Sequence, residues 1–240
     1  MRLGSIPCML LAVLSVAAAA QDSAPVQDTR FEDERASPFE DTLDQADRER
    51  GFSTFNDAEA RQAIDTFGKC VVERKPTEAD RLLSRDFTTS GYRTGLRLLS
   101  QEATRSCVRD SIGGASAMRS SDLLFAGAMA EALLERDATP LNVRLVRSAG
   151  RDVRSYSPSD IVAQCLARSL PDQVAALFAT TPGGDAERTA VAPLLQAAPA
   201  CARAAGIDAR VELTAPGIRA IVATAAYRLV SNPGDTHAQG

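Results

Sequence analysis

The chain has 240 residues, of which 45% are hydrophobic and 24% are charged, and its formal net charge is −4 at pH 7. An apolar fraction of this size is normal for a folded globular protein. Aromatic residues make up 5% of the chain and Trp is absent, so we expect a core of Leu, Val, Ile and Ala with few aromatic surfaces on which sugars or bases would stack. The single histidine, His237, lies near the C-terminus, which excludes Ser-His-Asp and Cys-His catalysis and most zinc and iron sites from the rest of the chain.

Residues 1–20 have the layout of a secretory signal peptide. Arg2 gives a positive start, an apolar run follows over 9–16, and three alanines precede Gln21. The pattern predicts export to the periplasm or the extracellular space, with cleavage before Gln21 and no membrane-spanning segment afterwards. An uncleaved anchor is the alternative, because the apolar stretch is nearly long enough to span a bilayer. A glycine, a serine and a proline near its start argue against that alternative.

Residues 21–50 are strongly acidic. They hold ten Asp and Glu residues against four arginines, a net charge of −6. So many charges among few large apolar residues predict a disordered tail. At the other end of the chain, residues 232–240 are predicted to be a frayed tail.

The first helix is predicted to begin near Asn56, because Asn56 and Glu59 fit an N-terminal capping pattern. Beyond them, apolar residues recur at intervals of three and four, which places them on one face of a helix. We expect this face to belong to the core; its members are Ala60, Ala63, Ile64, Phe67, Cys70 and Val71.

The chain resembles itself when it is shifted by 95 residues. The matched pairs are Cys70-Val71 with Cys165-Leu166, Pro76 with Pro171, Leu82-Leu83 with Leu177-Phe178 and Leu123 with Ile218, and Cys107 meets Cys201 at a shift of 94. Two cysteines, a proline and an apolar pair in the same order predict an internal duplication. We therefore expect a mostly α fold in which two divergent copies of a disulfide-stapled helical repeat, residues 51–140 and 159–231, pack about an approximate two-fold axis.

Each copy is predicted to contain four short helices. The first ends before Pro76 or Pro171, because the residue ahead of a proline disfavours helical geometry, and the proline then opens the second helix. The third helix runs to the second cysteine of its copy, and in the second copy we expect Pro193 and Pro199 to kink or divide it. The fourth helix is rich in small residues, which allows neighbouring helices to approach closely.

Residues 141–158 are predicted to form a basic connector between the copies. Leu141, Val143 and Leu145 alternate with polar residues along it. This pattern fits a short strand, a helix extension or an ordered linker, and the sequence leaves the three open.

Four cysteines remain once Cys8 leaves with the signal peptide. An even number of cysteines in an oxidising compartment indicates two disulfides, and four cysteines can pair in three ways. A single ancestral unit with two cysteines closes on itself, so we predict the pairs Cys70–Cys107 and Cys165–Cys201. Pairing between the copies is the alternative, if the ancestor was a disulfide-linked dimer. Because there is no Cys-x-x-Cys motif and no His ligand in the body, we predict no metal site, no cofactor and no catalytic cysteine.

Arginine placement is the polar pattern with a candidate function. Arg97, Arg105 and Arg109 recur at multiples of four on the predicted third helix, and Arg144, Arg147, Arg151 and Arg154 lie in the connector. Together they form a candidate anion patch for lipid phosphates, an acidic polymer or the protein's own acidic tail. The alternative is an ordinary solvated face of an arginine-rich protein. Nucleic acid is excluded as a partner, because the chain is predicted to be exported and has no aromatic residues interleaved with its arginines.

These features favour an exported, non-catalytic helical module that binds a protein or an anionic envelope component. The alternative is a cell-envelope hydrolase that uses paired carboxylates. The two functions differ in what the structure should hold. A hydrolase requires a concave pocket with two or more acids of raised pKa, whereas a binding module should present an apolar or arginine-rimmed surface.

Overall fold

The computed structural model describes residues 57–112, 121–207 and 213–231, without the side chains of residues 105 and 108–112. The predicted signal peptide, acidic tail and C-terminal tail lie outside the described residues. Within these ranges the chain forms nine α-helices and no strand, which confirms the mostly α prediction. The helices are α1 (Asp57–Arg74), α2 (Pro76–Leu83), α3 (Ser90–Ile112), α4 (Asp122–Glu135), α5 (Leu141–Ser148), α6 (Pro158–Ser169), α7 (Pro171–Phe178), α8 (Asp185–Ala204) and α9 (Ala215–Val230). None of these helices is long and apolar enough to cross a lipid bilayer.

Prolines and hydroxyl caps set where several helices begin. Pro76 and Pro171 are the first residues of α2 and α7, and the residue ahead of each has a non-helical backbone conformation, as expected next to proline. Ser157 caps α6, because its side-chain hydroxyl accepts a hydrogen bond from the backbone N–H of Asp160, three residues later in the chain, at 3.2 Å. Thr214 caps α9 in the same way, also at 3.2 Å. These caps satisfy backbone donors that the start of a helix otherwise leaves unpaired.

Two elements show how tertiary packing decides what the sequence leaves open. The connector contains the helix α5, with Leu145 buried and Val143 exposed, so the apolar alternation there marks two sides of a helix. The helix α8 runs unbroken through Pro193 and Pro199, so the prediction that these prolines divide it is wrong. Each proline removes a single backbone donor, and the packing of α8 outweighs that loss. Its buried apolar residues are Val191, Leu194, Ala198 and Cys201.

The two halves of the fold correspond in their helix bounds. Several helices of the second half begin or end 95 residues after the matching helix of the first half. These matches are the ends of α1 and α6 (Arg74, Ser169), both the starts and the ends of α2 and α7, the starts of α3 and α8 (Ser90, Asp185) and the ends of α4 and α9 (Glu135, Val230). In each half the first helix packs against the third and the fourth. Leu82, Leu83 and Leu177 are buried, and Phe178 packs against the same core. Leu123 and Ile218 do not correspond, because Leu123 is 40% exposed and Ile218 is fully buried.

The centre of the core is the pair α4 and α9, which pack against each other. Gly127 of α4 allows this close approach, since a Cβ added there would lie 2.7 Å from the Cα of Ala220. Gly68 of α1 plays the same part against α4, where a Cβ would lie 2.6 Å from the Cβ of Ala128. Small residues at these crossings therefore bring three helices together, as the composition of the predicted fourth helices suggested.

Two disulfides fasten the third helix of each half to the first. Cys70 of α1 is bonded to Cys107 of α3, and Cys165 of α6 is bonded to Cys201 of α8, with Cα–Cα distances of 5.7 and 5.8 Å. This is the pairing expected from the repeat. Closing loops of 37 and 36 residues stabilises the fold by about 4 kcal/mol each in the chain-entropy description. The disulfides are compatible with an oxidising, exported location.

Candidate functional site

Arg144, Arg147 and Arg151 follow one another along α5 and the turn after it. Arg144 and Arg147 both belong to α5, where Arg144 is largely enclosed and Arg147 is exposed. Arg151 comes one turn later and donates its backbone N–H to the carbonyl of Ser148 at 3.0 Å. The guanidinium of Arg151 reaches the end of α9, where Nη1 donates to the carbonyl of Val230 at 3.4 Å.

Arg144 is the most enclosed of these arginines, with a side chain 10% exposed. Its Nη1 donates to the carbonyl of Leu134 at 3.0 Å and lies 3.3 Å from Oδ2 of Asp137. Its Nε and Nη2 are buried and have no hydrogen-bond partner among the described residues. Hydrogen bonds from Thr139, together with the neighbouring Arg144, hold the pKa of Asp137 below its ordinary value. Nη1 of Arg144 is thus engaged, whereas Nε and Nη2 have no hydrogen-bond partner among the described residues.

A cavity of about 620 Å³, widely open to solvent, lies between α2, α4, α5 and α9. Its volume is within the range of small-ligand sites. Tyr227 donates its hydroxyl to the carboxylate of Asp80 at the wall. Burial, and secondly that carboxylate, raise the pKa of Tyr227. Arg136 donates to the carbonyl of Val72 at 3.4 Å. The lining residues are Pro76, Thr77, Asp80, Leu133, Leu134, Arg136, Asp137, Arg144, Tyr227, Val230 and Ser231.

The outer side of α5 and the loop after it form the second part of the site. Val143 and Val146 are 36% and 61% exposed. The side chain of Arg147, the residue after Val146, is exposed and makes no hydrogen bond or ion pair with any described residue. Arg154 is exposed as well, and its guanidinium lies 5.5 Å from the ring centre of Tyr156. We call the set Val143, Val146, Arg147, Arg151 and Arg154 the α5 surface.

The remaining arginines of the predicted patch belong to α3. Arg97 is exposed there, whereas the side chains of residues 105 and 109 lie outside the described part. The helix α3 packs mainly on α1, and α5 packs mainly on α7. The two groups of arginines are therefore carried by different helix pairs. Arg144 lines the cavity, and Arg151 donates a hydrogen bond to the wall residue Val230.

A buried ion cluster links α1, α4, α8 and α9. Arg219 donates from Nε and Nη2 to the two carboxylate oxygens of Glu131 at 2.9 and 2.6 Å, and from Nη1 to Glu187 at 3.2 Å. Glu187 also accepts from Arg61 at 2.6 Å and from the backbone N–H of Gly183 at 2.9 Å. The four charged side chains, Arg61, Glu131, Glu187 and Arg219, tie the first half of the fold to the second.

The buried ion cluster bears on the alternative of a paired-carboxylate hydrolase. Burial raises the pKa of Glu131 to about 7, against the opposing effect of Arg219. The cavity beside Glu131 and Arg219, however, measures about 30 Å³, which is room for about one water molecule. Every oxygen of the two carboxylates accepts at least one intramolecular hydrogen bond. The cluster therefore has two acids close together but no space in which a glycan or peptide bond would reach them.

A second buried ion pair lies where α6 meets α9. Arg228 donates to the carboxylate of Asp160, and its guanidinium lies 5.4 and 5.7 Å from the ring centres of Phe87 and Tyr156. Asp160 also accepts from the backbone N–H of Tyr156 at 3.0 Å. The ion pair lies within the second half of the fold, and the ring of Phe87 from the first half packs over its guanidinium.

Sequence reasoning missed both buried charge groups, because their members are far apart in the chain. A local signal exists for Glu131: it is the single charge inside the apolar run from Leu123 to Leu134 of α4. A lone carboxylate in such a run requires a buried cation. Which arginine supplies it depends on the tertiary fold.

Comparisons of the chain with protein-family models, with curated proteins and with solved structures found no match. No family is assigned. Among the described residues no group of three or more His, Cys, Asp or Glu side chains is arranged to hold a metal ion. A functional assignment therefore depends on the geometry of the site itself.

Proposed function

We propose that this protein is an exported, non-catalytic helical module that binds an anionic envelope component through the α5 surface. The observation that carries the proposal is Arg147, an exposed cation without a partner among the described residues, beside the exposed Val146. Arg151 and Arg154 extend the positive surface. Val143 and Val146 add exposed apolar side chains beside these cations.

The chemistry of the α5 surface favours phosphates or carboxylates. Guanidinium groups bind both in a bidentate manner, and the arginines Arg147, Arg151 and Arg154 outnumber the single acid Asp152 in the same segment. Valines beside them would contact the apolar part of the partner. Contacts of this kind between exposed charges are individually weak and are screened by salt. We therefore expect binding that weakens steeply as ionic strength rises.

We infer further that the module arose by duplication, with two copies related by an approximate two-fold axis. The helix bounds that recur at 95 residues support this. Two equivalent contacts between the halves also support the duplication. Gln62, near the start of α1, donates to the carbonyl of Pro182 in the loop after α7. In the other direction Tyr156, just before α6, packs on Phe87 in the loop after α2. In a two-fold arrangement each contact recurs with the roles of the two copies exchanged. The equivalent helices α4 and α9 also pack against each other, as helices beside such an axis do.

The proposal is tested with protein purified after export from a bacterial host, whose intact mass shows whether the chain begins at Gln21. Its binding to phosphatidylglycerol vesicles and to polyglutamate is measured by co-sedimentation and by anisotropy, and uncharged phosphatidylcholine vesicles serve as the blank. The triple variant Arg147→Gln, Arg151→Gln, Arg154→Gln should lose most of the binding. Its control set, which removes the same charge from exposed positions elsewhere, is Arg81→Gln, Arg93→Gln and Arg203→Gln.

The two probes distinguish lipid from polymer as the anionic component. Binding to vesicles alone identifies a membrane surface, and binding to polyglutamate alone identifies an acidic polymer. An equal loss in the triple variant and in the control set would mean that general positive charge, and not the α5 surface, causes the binding. No binding to either anion at low salt would refute the proposed function.

A further inference from the structure

We infer that the cavity between α2, α4, α5 and α9 binds a small ligand that carries one oxyanion group, a carboxylate or a phosphate, on an apolar body, with Arg144 as the residue that holds the oxyanion. The inference rests on the proposed function in one respect, namely that α5 binds an anionic partner. It adds a separate site on the inner side of the helix and a class of ligand for it.

Arg144 carries the inference because of which of its atoms are engaged. Nη1 is taken by the carbonyl of Leu134 and the carboxylate of Asp137, at 3.0 and 3.3 Å. Nε and Nη2 are unpartnered and buried. These two donors form the edge of a guanidinium that binds a carboxylate or a phosphate with two parallel hydrogen bonds. A buried cation with free donors is unfavourable unless an acceptor reaches it.

The rest of the wall combines charged and apolar groups. Arg136 adds a second cation. The wall also holds two carboxylates, Asp80 and Asp137, which accept hydrogen bonds from Tyr227 and Thr139 and balance the charges of the two arginines. Apolar lining from Leu133, Leu134 and Val230 suits a ligand with a short hydrocarbon part.

Access to the free edge requires a small movement of Arg144. Nε and Nη2 are covered in the structure, so the guanidinium must turn toward the cavity when the ligand enters. This turn breaks the hydrogen bond from Nη1 to the carbonyl of Leu134 and the ion pair between Arg144 and Asp137, whose side chain is 51% exposed. An ion pair with such an exposed partner is weak, so the ligand's oxyanion can replace it.

The experiment measures ligand binding by titration calorimetry with octanoate, octyl phosphate, the uncharged octanamide and inorganic phosphate. We expect octanoate or octyl phosphate to bind about tenfold or more tightly than octanamide, as one charge-assisted bidentate contact implies. Arg144→Gln should abolish this preference and Arg144→Lys should restore part of it, whereas the control set at Arg81, Arg93 and Arg203 should keep it. Octanoate and octyl phosphate compared with each other show whether the group is a carboxylate or a phosphate.

A second variant guards against misfolding of the Arg144 variants. Thr77 is exposed at the rim of the cavity, so Thr77→Trp should fill the entrance and weaken octanoate binding while the thermal unfolding midpoint stays near that of the unmodified protein. Equal binding of octanoate and octanamide, or octanoate binding that survives both Arg144→Gln and Thr77→Trp, would overturn the inference. Vesicle binding that persists without any octanoate or octyl phosphate binding would remove the cavity site and leave the α5 surface intact. Binding of octanoate or octyl phosphate without vesicle binding would support the cavity site and refute the α5 surface as a vesicle-binding site.

Discussion

Replacement of Arg219 by Met removes the cation at the centre of the buried ion cluster. The long apolar side chain of Met keeps much of the volume of the arginine, so the change isolates the loss of charge. Glu131 loses both of its hydrogen bonds from Arg219. Glu187 keeps its bonds from Arg61 and from the backbone N–H of Gly183. The variant therefore orphans one buried carboxylate, Glu131.

The size of the effect follows from the burial of Glu131, whose side chain is 5% exposed. Breaking one partner of a buried ion pair costs about 3–5 kcal/mol. This cost applies while Glu131 is ionised. Its pKa is already raised to about 7 by burial, and removal of Arg219 raises it further, so the carboxyl is neutral at pH 5. We expect Arg219→Met to lower the free energy of unfolding by about 3–5 kcal/mol at pH 8 and by less at pH 5.

Urea denaturation followed by circular dichroism at pH 5 and pH 8 measures both values. The double variant Glu131→Met, Arg219→Met serves as the control, because it removes both partners of the ion pair and leaves no buried charge without a partner. The double variant should be more stable at pH 8 than Arg219→Met alone, with a coupling energy above about 1 kcal/mol. A single variant that loses less than about 1 kcal/mol at pH 8, with no coupling to Glu131, would refute the reasoning that the cluster is a buried tie between the halves.

Three further perturbations test other parts of the account. The pKa of Glu131 is about 7 in the folded protein, against an ordinary value of 4.5. Protonation of Glu131 therefore contributes stability that is fully present below pH 4.5 and is lost as the pH rises through 7. Glu131→Gln should flatten this part of the profile of thermal unfolding midpoint against pH. Replacing Cys70 and Cys107 together by Ser should lower the free energy of unfolding in guanidinium chloride by about 4 kcal/mol, and a loss near zero would contradict the stapling role. Gly127→Ala places a Cβ 2.7 Å from α9 and should destabilise by about 1–3 kcal/mol, whereas Gly150→Ala, with open space around it, should change the unfolding midpoint little.

The sequence was most informative where a single residue fixes local geometry. Pro76 and Pro171 each force the preceding residue out of the helix, so the ends of α1 and α6 could be placed from the chain alone. The apolar face of α1 was equally visible, since spacing of three and four places residues on one side of a helix. The disulfide pairs followed from the order of the cysteines, given the repeat.

What the sequence could not show depends on contacts between distant segments. The alternation along the connector fitted a strand as well as α5, and only the docking of Leu145 against the body decides between them. Arg144 and Arg147 look alike in the chain, yet one lines the cavity and the other is exposed. The acids of the buried ion cluster are 56 residues apart, at 131 and 187, and no local pattern pairs them. Polar contacts between distant segments are thus the part of the fold that local periodicity leaves undetermined.

The location of anion binding on α5 is tested most directly by a fluorescent reporter. The chain contains no Trp, so a single introduced Trp is the sole indole in the protein. Val146→Trp places it on the α5 surface, and Leu98→Trp, at a position of similar exposure on α3 (51% against 61% for Val146), is the matched control. We predict that phosphatidylglycerol vesicles or polyglutamate at low salt shift the emission of Val146→Trp, that added salt reverses the shift, and that Leu98→Trp stays unchanged. A shift at Leu98→Trp with none at Val146→Trp, in protein that binds the anion, would contradict the assignment of the binding surface to α5.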